Sequence, residues 1–425
     1  MAARDSAKGI KNSGNSKVRR RGLAVVSGSV GAFAAAAAMA TGSAAPAKAD
    51  IDTLLDPIIQ PLITSLSDAI AGFDPTAATD LTSWTDSLLS SLNSIDLALP
   101  STALPSTADP VASAASAAST GSDPTSGTYD IPIAVQEDTE PTVQASIEGG
   151  SDQTLLVDTG SSGLVIPATD LSLTQLIDLG IPTGINEAGY SGGVDYIYLT
   201  YDDATVDYGN GVLDTTNTPI DVEILSWPTS LSSGSPLDFQ QFLSDNDVTG
   251  ILGVGDGVGP SESPLQADGF DGVTVDVTPN TDTGDLVVSS TNANPGTAIY
   301  TVNDSSSGAP ISSLYETVTT NGQTVGSTVS DDVDSGGVYG TIPSSLLGDN
   351  SSVPDGSTIT VYSSDPSQGG TELYQYVVSD NGVDNAPSVT SGTSIDSGYA
   401  PFNEDPIYIN YTNDTLSFDE PGTIS

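Results

Sequence analysis

Two aspartates stand in matching settings in this 425-residue chain. The first ends an apolar run in Thr154-Leu155-Leu156-Val157-Asp158-Thr159-Gly160-Ser161-Ser162-Gly163-Leu164-Val165-Ile166-Pro167. The second opens Asp334-Ser335-Gly336-Gly337-Val338-Tyr339-Gly340-Thr341-Ile342-Pro343, with Ile-Pro at the same distance from its aspartate. An apolar strand running into Asp-Thr-Gly implies a sharp turn, made by glycine, that lifts the carboxyl into a cleft. Two carboxyls on matching turns can share one proton and activate a water between them, one as general base and the other as general acid.

The neighbours of each aspartate have roles that this chemistry asks for. Hydroxyls of Thr159 and Ser335 would brace the two turns against each other and hold the carboxyls nearly coplanar. Gly160 and Gly336 complete the turns. Ser161 can donate to Asp158 and favour its anion, whereas Gly337, at the equivalent place, offers Asp334 no side-chain donor. The shared proton is therefore expected to sit more on Asp334, as a property of one coupled pair. Water activation by two carboxyls requires no cofactor and no metal. Asp-rich stretches (Asp202-Asp203, Asp245-Asn246-Asp247, Asp331-Asp332) lack the twelve-residue calcium-loop spacing and read as solvated turns. Two more Asp-[Ser/Thr]-Gly tripeptides occur, at Asp282 and Asp396. Asp282 reads as a hairpin turn. Asp396 is followed by too little chain for another lobe and matches the role of the second glycine turn, Gly250-Ile251-Leu252-Gly253.

Strands must position these residues. From Thr128 onward, short β-runs alternate with Gly- or Asp-rich turns: Ile131–Val135, Val143–Ile147, Thr154–Val157, Tyr196–Tyr201, Ile220–Leu225, Leu286–Ser289, Ala298–Val302, Tyr315–Thr319, Thr358–Tyr362 and Ile407–Tyr411. One helix is expected at Pro236–Leu243. Residues 128–425 thus suit a mainly β, bilobal domain with a core in each lobe. Ahead of it, residues 50–99 carry apolar positions at helical spacing, interrupted by Pro57 and Pro61, and read as amphipathic helical segments serving either as a pro-segment or as an anchor. Residues 100–127, rich in Ser, Ala, Thr, Pro and Asp, read as a flexible linker.

Charge is divided along the chain. All eight Lys and Arg precede Asp50, where the only acid is Asp5, although the chain has 55 acids in all; there is no His and no Cys. Residues 1–49 read as a signal peptide: a basic region, an apolar stretch from Leu23 to Ala40, and Ala47-Lys48-Ala49 as a small-x-small cleavage site. Arg19-Arg20-Arg21 suits either the general or the twin-arginine export route; an uncleaved anchor is the alternative. A wholly acidic mature chain argues against nucleic acid and anionic membranes as partners. Crowding its carboxylates by folding should also make it more stable at about pH 4–5 than near neutrality.

The two long motifs resemble those of pepsin-type aspartic proteases. More closely, they resemble the secreted mycobacterial PE-domain-processing (PE-PGRS C-terminal) aspartic protease family, which also shares Pro401-Phe402-Asn403 with Pro406-Ile407-Tyr408-Ile409-Asn410-Tyr411. The resemblance covers roughly residues 128–420 and implies a pepsin-like double β-barrel, with Asp158 and Asp334 as catalytic residues. It further implies that Val206-Asp207-Tyr208-Gly209-Asn210-Gly211 is the hairpin flap, with Tyr208 and Gly209 closing over the substrate. Thr249–Gly255 would thread behind the first catalytic turn, and Glu316–Val325 would be the hairpin before the second. The implied protein is a monomeric endopeptidase, secreted or at a bacterial cell surface, acting on polypeptides including itself. The alternatives are an inactive pepsin-like shell used for adhesion, and an acidic structural β-protein; neither calls for both aspartates in register.

Overall fold

The computed structural model describes residues 127–424, apart from 191–192, 230–235, 257–258, 280, 304–310, 349 and 379–384. The expected signal peptide, helical segment and linker fall outside the described residues.

The chain first lays down eleven strands: β1 (Thr128–Gln136), β2 (Glu140–Ile147), β3 (Gln153–Asp158), β4 (Ser162–Pro167), β5 (Gly184–Tyr190), β6 (Val194–Tyr208), β7 (Leu213–Pro228), β8 (Gly250–Val254), β9 (Gly272–Val277), β10 (Thr283–Ser289) and β11 (Ala298–Asn303). It then builds a second sheet from β12 (Ile311–Thr320), β13 (Gln323–Asp332), β14 (Thr341–Pro343), β15 (Thr358–Tyr362), β16 (Glu372–Val377), β17 (Ser388–Thr390) and β18 (Ser394–Asp396). Finally β19 (Ile407–Asn410) and β20 (Thr415–Asp419) return to the first sheet, between β9 and β11. The result is one thirteen-stranded and one seven-stranded sheet, the mainly β two-lobed architecture expected from the sequence.

The same threading occurs in both sheets. β3 and β4 flank the Asp158 turn, and β8 passes between them, parallel to β3 and antiparallel to β4. Likewise β13 and β14 flank the Asp334 turn, and β18 passes between them, parallel to β13 and antiparallel to β14. Strands this enclosed cannot alternate polar with apolar, and β4 and β8 are buried at every position. One apolar cluster joins Leu155, Val157 and Leu252 of the first sheet to Leu314, Val333 and Val361 of the second region. A smaller one packs Leu156, Val165, Tyr196, Phe239 and Ile251, and another packs Val318, Ile342, Ile359 and Ile395.

Two helices were less legible. Helix α1 (Leu173–Asp178) was not expected, though its start is written as Ser172-x-x-Gln175: the Ser172 hydroxyl and the Gln175 side chain each cap the other's backbone. Helix α2 (Phe239–Asp245) begins three residues later than Pro236, because the Asp238 carboxylate accepts from Gln241 N and sets the N-terminus there. Among the described residues, no helix is long and apolar enough to cross a membrane.

Candidate active site

Asp158 ends β3, and Asp334 lies just past β13, each at the tip of its turn. The turns are locked together by four reciprocal hydrogen bonds. Thr159 Oγ1 donates to the Val333 carbonyl (2.6 Å) and accepts from Ser335 N (2.9 Å). Ser335 Oγ donates to the Val157 carbonyl (2.6 Å) and accepts from Thr159 N (3.0 Å). Each hydroxyl thus satisfies two backbone groups of the opposite turn, in a fully buried setting where an unpaired group would be costly.

This lock brings the two carboxyls together around one shared donor. Gly160 N donates to both, at 2.9 Å to Asp158 Oδ1 and 3.2 Å to Asp334 Oδ1, while Gly336 N donates to Asp334 Oδ1 at 2.8 Å. Only glycine fits at these two places. A Cβ at 160 would collide with the Asp334 carboxyl, and one at 336 would sit 2.8 Å from Asp158 Oδ1. Ser161 Oγ donates to Asp158 Oδ2 at 2.5 Å.

Burial raises the pKa of both carboxyls. For Asp158 the rise is opposed by hydrogen bonds from Asp334, Ser161 and the Gly160 amide. Asp334 is pushed well above the ordinary range, first by burial and then by the charges of Asp158 and Asp396. The pair therefore favours one proton shared between them, biased to Asp334.

Tyr208 and Gly209 are not at this site, which corrects their assignment to a flap. Tyr208 is 0% exposed, paired with Ala145 and Leu213, with Asp268 and Tyr411 as its polar surroundings. It is a core residue of the far end of β6, and Gly209 N bonds the Gln144 carbonyl there. The hairpin that reaches the pair is β5–β6, whose last registered residues are Tyr190 and Val194. The Tyr190 ring stacks on Tyr196 (5.6 Å), Phe239 (5.9 Å) and Phe242 (5.5 Å). Its buried hydroxyl lies beside those of Ser161 and Tyr196 with no well-formed hydrogen bond. Sequence reading missed it, although Tyr190-Ser191-Gly192-Gly193 is as much a turn signal as Tyr208-Gly209-Asn210-Gly211.

The remaining aspartates sort by environment. Asp282 is exposed in the turn between β9 and β10. Asp202, Asp203, Asp245 and Asp247 are exposed. Asp331, in contrast, is no solvated turn: it lies in β13, 1% exposed, beside the Tyr374 hydroxyl but with no well-formed hydrogen bond to either carboxyl oxygen. Burial, with the charges of Asp332 and Asp396, pushes it well above the ordinary range. No group of three or more Asp, Glu, His or Cys among the described residues is arranged to hold a metal ion.

Known proteins resemble this chain in sequence. The family model described as PE-PGRS C-terminal aspartyl peptidase-like domain matches residues 129–418. PE cleavage protein A of Mycobacterium tuberculosis (strain CDC 1551 / Oshkosh) is 37% identical over 311 residues, covering 68% of this chain and 52% of that protein. PE cleavage protein A of Mycobacterium marinum (strain ATCC BAA-535 / M) is 36% identical over 311 residues, with the same coverage. The chain thus spans about half the length of the curated relatives it matches. With two threaded sheets, two Asp-x-Gly turns and a match across nearly all of the described region, the chain belongs to the PE-PGRS C-terminal aspartyl peptidase-like domain family.

Proposed function

We propose that this chain is a secreted aspartic endopeptidase in which Asp158 and Asp334 activate water for hydrolysis of extracellular or cell-surface polypeptides. The observation that carries the reading is the pair itself: two carboxyls, Asp158 buried and Asp334 partly so, that share the Gly160 amide on turns braced by Thr159 and Ser335. Asp158, whose anion Ser161 favours, takes a proton from water as it attacks the peptide carbonyl. Asp334, which holds the shared proton, supports the developing oxyanion and supplies the proton that the leaving nitrogen needs. The aromatic stack carrying Tyr190 closes one side of the pair and reduces water access to it.

The names of the relatives suggest PE-type proteins as substrates, and the chain's own residues 100–127 are a second target. Export through the N-terminal signal, action as a monomer and independence of metal or cofactor belong to the same reading. The test is mass spectrometry of proteins released by cells that make the wild type or Asp158→Ala. New N-termini on co-secreted proteins or on this chain should appear only with the wild type. Identical termini in both would overturn the assignment.

A further inference from the structure

The two halves of the site differ at two positions that lie side by side. Ser161 follows Asp158 by three residues and donates to it, whereas Gly337, at the same place after Asp334, brings no side chain. The other difference is in the threaded strands. Val165 pairs with Ile251, and Thr341, at the same distance from its own aspartate, pairs with Asp396. Ile251 is 1% exposed in an apolar cluster, so a carboxyl stands where the first half has a core residue. These differences meet in space, since a Cβ on Gly337 would collide with Asp396 Oδ1. The carboxyl is held there: Gly398 N donates to Oδ1 at 3.0 Å, and the Asp396 amide donates to Thr341 Oγ1 at 3.2 Å.

We propose that Asp396 is a positioning residue for the Asp158–Asp334 pair, its carboxylate occupying the room of a side chain at 337 and holding the shared proton on Asp334. This rests on the peptidase reading and extends it. Ser161 favours the anion of Asp158 by donating to it, and a negative charge beside Asp334 disfavours the anion there. Base and acid are thereby assigned by opposite devices on the two sides. The groups facing Asp396 are Asp331 and Asp332 of β13, Asp334 beyond it, Asp158 across the pair and Tyr374 of β16. Neither β14 nor β17 carries a titratable side chain. No Lys or Arg lies after Lys48, and the chain has no His, so no cation of the domain offsets this charge.

Burial, with the Asp158 charge, pushes Asp396 up to about 6, and burial, with the charges of Asp158 and Asp396, raises Asp334 well above the ordinary range. Once Asp396 is ionised, its charge beside Asp334 delays loss of the Asp334 proton. The acid limb of the rate profile is set while Asp396 is still neutral. Only the alkaline limb depends on it.

The test follows kcat/KM against pH for Asp396→Asn, Asp396→Ala and Asp396→Glu, using a peptide the wild type cleaves. The same proteins, labelled with carbon-13 at aspartate carboxyls, are titrated by NMR, with Asp334→Asn identifying the resonance. Asn and Ala should lower the alkaline limb and the Asp334 titration by about one pH unit or more, as loss of a close like charge does. The acid limb should stay, and Glu should keep the wild-type limb. Adding Gly337→Ser to Asp396→Ala restores bulk without charge, and the limb should remain low. A uniform fall in rate with no shift of the limb, or recovery of the limb in the double variant, would overturn the proposal. An unshifted Asp334 titration in Asp396→Asn overturns it without any turnover being needed. A shifted titration in a protein whose wild type cleaves nothing would instead overturn the peptidase reading alone.

Discussion

Replacing Asp221 by Asn should flatten the dependence of this protein's stability on pH. Asp221 lies in β7, 0% exposed, and accepts from Thr200 Oγ1 at 2.8 Å and Ser261 Oγ at 2.6 Å. Burial outweighs these two bonds and pushes its carboxyl from 3.8 up to about 6. A group whose folded pKa is raised contributes stability that is fully present below its unfolded pKa and is lost as pH rises through the folded value. For Asp221 the loss therefore runs from about pH 4 to just above pH 6. About two units at 1.36 kcal/mol each set a ceiling of about 3 kcal/mol for this one residue. In a domain of this size that is a fall in Tm of at most roughly 5 °C. Calorimetric melts in low salt at about pH 4.5 and pH 7 should show the wild type less stable at pH 7, and the gap narrowed in Asp221→Asn. Glu223, Asp268 and Asp419, pushed up to about 7, 6 and 6 with burial as the leading cause, should preserve part of the gap in the variant. The sequence expectation assigned this trend to crowding of surface charge, but burial is the leading cause for the carboxyls that shift. A wild-type Tm that climbs steadily from pH 4 to 7, or an undiminished gap in Asp221→Asn, would refute the reasoning.

Two further outcomes follow from the site. Tyr190→Ala should lower turnover and cost less stability than Tyr208→Ala, since its ring covers the pair and is only partly buried in its aromatic stack. Tyr208→Ala should instead lose roughly 3–5 kcal/mol of stability, as large-to-small changes in cores do. Denaturant melts and steady-state kinetics on both variants check this, and the reverse pattern would return Tyr208 to the flap. Thr159→Val removes the hydroxyl that serves Val333 and Ser335 and should cost about 1–3 kcal/mol, with a larger loss of rate, because the carboxyls lose their common mount. A variant equally active and equally stable would show the brace to be idle.

The parts of the site written as local patterns were legible. Apolar runs into Asp-x-Gly, the repeated Ile-Pro, and the glycine segment that threads as β8 each follow from what a short stretch must do. Residues whose role depends on distant partners were not. Tyr190 and Tyr208 have near-identical local signals, and only the register of β5 and β2 against β6 decides which one reaches Ser161. Asp331-Asp332 looks like a solvated turn until β18 pairs beside it and buries Asp331. The segment of Asp396 matches Gly250-Ile251-Leu252-Gly253 in sequence, and β18 threads as β8 does, but what its carboxyl faces in place of Ile251 shows only through strand pairing.

The order in which the strands join has a consequence for timing. The thirteen-stranded sheet is open until β19 and β20 return, for β9 otherwise has a bare edge and β11 has no neighbour. A ribosome that has released residues through β11 has delivered Asp158 but neither the Asp334 turn nor the strands that complete Asp158's own sheet. The carboxyl pair is therefore among the last features to come into being. During synthesis the chain carries its two halves apart, and they meet only after the strands of the second sheet have followed β11.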